Sequence, residues 1–441
     1  MSEDIFWKKL LSPIRFGKKT TENMDKERTP FLIDYDRIIF SSSFRRLSKK
    51  TQVHPLTQND HIHTRLAHSL EVSCVGRSLG NKVGFWLYEE GKLPQYIQPH
   101  NIGEIVQAAC LAHDIGNPPF GHAGEDAIRD WFNAPENSEY LPKKKLTNRE
   151  ISDFKAFDGN AQGFRVITTL EMYRDDGGMR LTYPTLASVV KYPVCAHDAL
   201  KNNKCKFNFY ENEREFFKEI FFTLGLENNN IYQRHPLSYL TEAADDICYR
   251  IIDMEDAREL KILTYDDIYK TISPLLKKLN LKESRLSDDI PDRRRMAYIR
   301  GVLINILVDE AFLSFKNKYN NIISENINPL ITYCSEDVCE YMENAKNIFN
   351  NKIMKDPQKT ALEIGSYSLY KRLMNIFIPA VFHKKTEIGL EFREQRALDL
   401  LGINSPAEND SLYTSYLRVI DFISGMTDNY ATFISKQFSG T

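Results

Sequence analysis

None of the seven cysteines in this chain forms a C-x-x-C pair, and their number is odd. That excludes a disulfide scaffold or a thiolate zinc site as the organising principle and points to a reducing compartment. No apolar run approaches the roughly 20 residues that span a bilayer. The first stretch (MSEDIFWKKLLSPIRFGKKT) is too charged, and lacks the long apolar core, for a secretory signal. Neither sign of charge dominates: 58 basic against 60 acidic side chains leave a net charge of −2. Nothing global therefore draws the chain to nucleic acid or to an anionic membrane. A Gly-rich phosphate loop, strand alternation of any length and internal repeats are also missing. These absences leave a soluble, cytoplasmic, helix-rich protein, and 441 residues suffice for one large core or two to three ordinary domains.

The informative stretch is 110-CLAHDIGNPPFGHAGE-125. His113 and Asp114 stand side by side, one imidazole and one hard carboxylate, a ready pair of metal ligands. Gly116, Pro118, Pro119 and Gly121 stop one helix and restart another. The first of these helices is expected over 102–114, capped by Asn101 with Glu104 completing a capping box. The second is expected over about 122–133, with Glu125 one turn after His122, so that the two side chains can touch.

Upstream, a helix is expected from Thr64, with Leu66, Leu70, Cys74 and Leu79 as its buried stripe. His68 lies within it among apolar neighbours, and Arg65 one turn before points the same way. His61 and His63 fall in a polar loop and receive no role. In 235-HPLSYLTEAADDICYRIIDMEDA-257, Asp245, Tyr249 and Asp253 recur every four residues on one face of a largely apolar helix. Buried carboxylates need compensation, and a cation is the simplest; the bland alternative is a wet, amphipathic face. In 185-TLASVVKYPVC-195 an apolar helix is expected to end at Pro193; Lys191 and Tyr192 close it, where a lysine serves the macrodipole or reaches an anionic ligand. Arg45, Arg46, Lys49 and Lys50 form either a solvated face or a phosphate site. Arg418, Asp421 and Asp428 are left as structural residues or reaches toward an active site.

Combining His68, His113, Asp114 and Asp245 gives two imidazoles and two carboxylates, a donor set suited to Mg²⁺, Mn²⁺ or Fe²⁺. Zinc loses its usual argument without thiolates. His122, oriented by Glu125, is then placed as a general acid or base. Residues 1–35 read as an N-terminal arm with one short helix at most, and 36–270 as the metal-dependent core with an exposed polar insertion at 134–155. Residues 271–441 read as helices packed on that core.

The order H…HD…D resembles the HD metal-dependent phosphohydrolase superfamily, and more closely the deoxyguanosine-triphosphate triphosphohydrolase (dGTPase) family. The strings that carry the resemblance are FRRLSKKTQV (44–53), TRLAHSLEV (64–72), LAHDIGNPPFGHAGE (111–125), FDGNAQGFR (157–165), VVKYP (189–193), EAADDICYRIIDMEDA (242–257) and ISGMTDNYA (423–431). It implies an all-α HD-domain fold with additional C-terminal helices. It also implies hydrolysis of a deoxynucleoside triphosphate to deoxynucleoside and tripolyphosphate, by ion-activated water attacking the α-phosphorus.

Carried over by position, His68, His113, Asp114 and Asp245 match the metal ligands. Asp245 is preferred to Asp246 because it keeps Tyr249 and Asp253 at the family's spacing. His122 and Glu125 match the catalytic pair. Gln52 matches the reader of the sugar 3′-hydroxyl, Tyr249 the ring under the deoxyribose, Asp253 a further sugar contact, and Arg65 and Lys191 the phosphate contacts. The resemblance also implies a homo-oligomer, commonly a hexamer, and activation by a second dNTP or by single-stranded DNA. Two rivals use the same residues: an HD-type phosphodiesterase or 5′-nucleotidase, and a non-enzymatic binder of nucleotides or single-stranded nucleic acid.

Overall fold

The computed structural model describes residues 3–17, 24–25, 27–57, 59–171, 178–279, 281–282, 285–287 and 289–440. Its regular structure is helical. Among the described residues the one sheet is an antiparallel hairpin of two short strands, Glu227–Asn228 and Ile231–Tyr232. The all-α class expected from the pattern holds.

Two apolar clusters organise the molecule. In the first, the His68 helix (Arg65–Glu89) lies along the helix Pro99–Ala112, and both pack on the Asp245 helix (Ser238–Glu259) and its neighbour Asp292–Asn317. Glycines decide how closely the first two approach. A Cβ on Gly80 would lie 2.7 Å from Gly103 Cα, and one on Gly84 2.0 Å from the Pro99 carbonyl oxygen. The buried face of the His68 helix is therefore Val72, Val75, Leu79 and Val83 with those glycines. The expected stripe is offset from it: Leu79 is buried, but Leu66 and Leu70 are only half-buried and Cys74 is exposed. Small residues carry little hydrophobic signal yet permit the tightest packing, so a count of large apolar side chains picks the wrong face.

The second cluster joins Ile128, Trp131 and Phe132 of the His122 helix (His122–Asn133) to Tyr370, Leu373 and Phe377 of Pro357–Thr386 and to Tyr416 and Ile420 of Leu412–Ser424. The C-terminal helices thus complete both clusters: Leu303 and Leu307 lie in the first, Phe377 in the second.

Three local expectations change. The N-terminal segment is not an arm. Trp7, Leu10 and Leu11 are fully buried, Trp7 Nε1 donates to the Tyr319 hydroxyl (2.8 Å), and a second helix begins at Pro30 under a Thr29 cap. Window polarity masked a few apolar anchors. The helix carrying His113 begins at Pro99, three residues early. Asn101 sits inside its first turn and accepts from Gln98 N (2.8 Å), while Glu104 accepts from Thr29 Oγ1 (2.6 Å) and Asn101 Nδ2 (3.0 Å). Proline at the first helical position needs no N–H partner, which explains the earlier start. In 134–155, Lys143, Lys144 and Lys145 are exposed, but Leu141, Leu146 and Phe154 are buried in the second cluster, so the segment is built in.

Candidate active site

Three helices and one loop bring the four candidate ligands together. His68 lies in the first turn of its helix, whose Thr64 cap accepts from Ala67 N (3.3 Å). His113 follows the end of Pro99–Ala112, and its Nδ1 lies 2.6 Å from the Cys110 carbonyl oxygen. Nδ1 thus donates to that oxygen, which fixes the ring and turns Nε2 toward the other candidate ligands. Asp114 is held from both sides, accepting from Arg65 Nη1 (2.6 Å) and from Asn117 Nδ2. His68, His113 and Asp114 each offer one donor atom within 4.8 Å of the others. Asp245 Oδ1 closes the group at 3.1 Å from His68 Nε2 and 3.4 Å from His113 Nε2.

The donor set fits a divalent cation. His113 Nε2 is buried without an aligned hydrogen bond among the described residues, between Asp245 and Asp114 (Oδ1 at 3.7 Å). A buried nitrogen left in that state is costly unless something coordinates it. Burial opposes a charge on His113, but the Asp114 and Asp245 carboxylates hold its pKa up at about 9. Two carboxylates therefore call for positive charge at this point, which a divalent ion supplies with two imidazole nitrogens facing it. The wet-face alternative for the Asp245 helix does not survive, since Asp253 is buried and Asp245 and Tyr249 are half-buried walls of a cavity.

The loop from His113 to His122 is braced from distant parts of the chain. Lys50 Nζ donates to the Asn117 carbonyl (2.6 Å), the Tyr370 hydroxyl to the Pro119 carbonyl (2.8 Å) and Phe120 N to Asp428 Oδ1 (3.0 Å). Phe120 (φ 62°) and Gly121 (φ 56°) both turn left-handed. Gly121 is required twice over, because positive φ favours glycine and because a Cβ there would also stand 2.4 Å from Arg65 Nη2. The bend delivers His122 to the start of its helix with its side chain 79 % exposed. His122 Nδ1 lies 3.1 Å from Glu125 Oε2. With Nδ1 engaged, Nε2 is the nitrogen left for a substrate. Glu125 is buried, its Oε1 accepts from Gly159 N (2.7 Å), and Lys206 Nζ stands 3.2 Å from Oε2. Burial opposes ionisation of Glu125, yet the His122 hydrogen bond and the Lys206 charge draw its pKa down to about 2.

A cavity of about 360 Å³ is lined by His113, Asp114, Asp245, His122 and Glu125, with His68 buried behind them. Its walls include Gln52, Arg65, Lys191 and Tyr249 as expected. Gln52 Oε1 is buried without a partner among the described residues, Lys191 Nζ pairs with Glu242 Oε1 (3.1 Å), and the Tyr249 ring rests 5.2 Å from that of Phe349. Asp253 differs. It is buried one turn beyond Tyr249, does not line the cavity, and its two oxygens have no hydrogen-bond partner among the described residues. Burial pushes its carboxyl well above the usual range.

The basic cluster at 45–50 does not face this cavity either: Lys50 is internal, bonded to the Asn117 and Ser424 carbonyls, and Arg46 donates to Ser43 Oγ (2.9 Å). Asp421 pairs with Arg165 (2.8 Å) and Arg418 with Asp410 (2.7 Å), and Asp428 braces the loops, so all three are structural. Sequence reasoning missed Lys206, Asn160 and Lys359 in the cavity wall. Lys206 sits in a polar stretch, KNNKCKFNFY, where one lysine among several gives no signal.

Residues 65–156 match the family model for the HD domain. Over nearly its whole length the chain is similar to the deoxyguanosinetriphosphate triphosphohydrolase-like protein of Pseudomonas aeruginosa, 44% identical over 98% of each chain. The protein of the same description from Synechocystis is 36% identical over 98% of this chain and 99% of that one. The deoxyguanosinetriphosphate triphosphohydrolase of Yersinia pseudotuberculosis is 30% identical over 94% of this chain and 95% of its own. His68, His113, Asp114, His122 and Glu125 fall inside the HD match, and Asp245 is added by a helix beyond it. With that architecture and those full-length similarities, this chain belongs to the deoxyguanosinetriphosphate triphosphohydrolase family of HD-domain proteins.

Proposed function

We propose that the protein hydrolyses a deoxynucleoside triphosphate, dGTP or several dNTPs, to the deoxynucleoside and intact tripolyphosphate. The observation that carries this reading is one cavity lined by His113, Asp114 and Asp245, with His68 buried 3.1 Å behind Asp245, and by the His122–Glu125 pair and the cations Arg65 and Lys191. Relatives described as deoxyguanosinetriphosphate triphosphohydrolases support the substrate class.

His68, His113, Asp114 and Asp245 would hold Mg²⁺, Mn²⁺ or Fe²⁺. Such an ion supplies charge to phosphate oxygens and lowers the pKa of a nearby water. Arg65 and Lys191 bind the triphosphate and spread its developing charge. Tyr249 packs under the deoxyribose and leaves no room for a 2′-hydroxyl, while Gln52 meets the 3′-hydroxyl. Water attacks the α-phosphorus opposite the 5′-oxygen, and the bond between that oxygen and the α-phosphorus breaks. His122 Nε2 gives its proton to the departing 5′-oxygen, and Glu125 holds the ring for that transfer. A homo-oligomer, hexameric by the resemblance, is the expected working form, with a second dNTP or single-stranded DNA as its activator.

The test is product separation after incubation with each dNTP, alone and in mixtures, with Mg²⁺ or Mn²⁺. Deoxynucleoside and tripolyphosphate are expected. Orthophosphate or pyrophosphate would instead support a phosphodiesterase or 5′-nucleotidase, and no turnover in any mixture would support a binder.

A further inference from the structure

Two buried carboxylates meet behind His122, and one lysine serves both. Asp158 Oδ1 accepts from Asn160 N (2.8 Å) and so caps the short helix Gly159–Arg165, whose first N–H donates to Glu125 Oε1. That turn brings Asp158 to the back of Glu125, and both are essentially inaccessible. Lys206 Nζ lies 3.2 Å from Glu125 Oε2 and 3.2 Å from Asp158 Oδ2. It comes from the segment just after 201, where Phe207 and Asn208 are buried and Asn208 Oδ1 accepts from Lys191 N and Tyr192 N. The Lys206 side chain itself is half-buried and lines the cavity.

We propose that Lys206 is a positioning residue for the hydrolysis: by pairing with Glu125 and Asp158 together, it keeps a shared proton out of the pair, leaves Glu125 Oε2 free to accept from His122, and thereby keeps His122 turned with Nε2 to the substrate. This rests on the assignment of His122 as the proton donor in the proposed function. Two adjacent buried carboxylates without a cation share a proton. Asp158, the more basic of the two, takes that proton first and would donate it to Glu125 Oε2, which occupies the acceptor that His122 Nδ1–H needs, and the ring would lose its orientation. Burial and Glu125 already push Asp158 up to about 6 with Lys206 beside it. Arg129 does not replace the lysine, since its Nη2 stands 4.0 Å from Glu125 Oε2 and its guanidinium is engaged by Asp126 and the Phe157 carbonyl. The remaining titratable groups facing this pair are His122, Arg65 and the buried hydroxyls of Tyr210 and Tyr370.

The experiment compares Lys206→Met, Lys206→Arg, Asp158→Asn and the double variant Lys206→Met/Asp158→Asn with the wild type. Steady-state kinetics and thermal melts are recorded across pH. Lys206→Met is expected to lower kcat by roughly tenfold or more with little change in KM, and to move the acidic limb of the kcat profile up by about one unit. Lys206→Arg restores most of the loss. The double variant restores it as well, because a single buried carboxylate beside His122 no longer has to share a proton, and an asparagine side chain can still cap the helix in place of Asp158. The melts need no substrate. Without Lys206 the folded pair holds a proton that the unfolded chain has released above its ordinary carboxyl pKa, so stability falls as pH rises. The Tm deficit of Lys206→Met should therefore widen from about pH 5 to 8 and vanish in the double variant. A rise in KM with kcat unchanged would overturn the proposal in favour of a phosphate contact. Failure of the double variant to recover, or a pH-independent Tm deficit, would overturn it too. An inactive wild type sinks the proposed function instead, and the melts still decide the role of Lys206.

Discussion

At His122 the geometry separates two jobs. The ring is exposed to the cavity and tied through Nδ1 to Glu125, whereas His68 and His113 are enclosed and turn Nε2 to Asp245. The proposed function accordingly gives the first imidazole the proton transfer and the other two the ion. His122→Ala should lower kcat by about 10²–10⁴-fold while Mn²⁺ affinity, read by calorimetry, stays near wild type. Asp245→Asn should do the reverse at the binding step. It removes the carboxylate charge facing both rings, so Mn²⁺ affinity should fall by at least about 100-fold, beyond the range for supporting residues. These residues were legible in the sequence because ligand chemistry restricts residue type and because helical periodicity put Asp245 and Tyr249 on one face. Asp253 shared the period but not the outcome: one more turn carries it past the cavity into the interior.

Among the elements, the loop from His113 to His122 depends on supports far away in sequence. Asp428, at the start of the last helix (Asp428–Ser439), accepts from Phe120 N, Thr51 N (2.9 Å) and Thr51 Oγ1 (2.8 Å). It thus joins the loop that presents His122 to the loop that presents Gln52. Asp428→Ala leaves these donors unsatisfied and should cost about 1–3 kcal/mol in urea unfolding, with kcat/KM falling as both loops loosen. Gly121→Ala puts a side chain at φ 56° and against Arg65 Nη2. About 1–3 kcal/mol of strain is expected, and because Arg65 is bonded to Asp114, activity should fall further than stability alone explains. The helix breaks around this loop were legible from its glycines and prolines. Its braces were not, because a tyrosine at 370 or an aspartate at 428 looks like any other helix residue until the chain has folded.

For the whole molecule, His235 links the N-terminal segment to the start of the Asp245 helix. Its Nε2 lies 3.1 Å from the Leu10 carbonyl oxygen and its Nδ1 accepts from Leu237 N (3.1 Å). It is fully buried, and burial lowers its pKa to about 4. The neutral ring fits the folded state, so its contribution to stability is complete above its ordinary pKa of about 6.5 and is lost as pH falls through about 4. Melts between pH 7.5 and 4 should show Tm dropping over that interval, and His235→Gln should flatten the drop.

Composition and motif spacing determined by themselves that this chain is helical, that it carries an imidazole–carboxylate cluster able to hold an ion with a His–Glu pair beside it, and which family it resembles. These properties are local: turn formers, helical period and donor type act over one or two helical turns. The tertiary structure decided which face of the His68 helix is buried, that Trp7, Leu10 and Leu11 are built into the core, that the 45–50 cluster turns away from the cavity, and that Lys206 stands behind the His122–Glu125 pair. Those outcomes depend on close approach between glycines and on pairings across tens to hundreds of residues, and no window of sequence contains both partners.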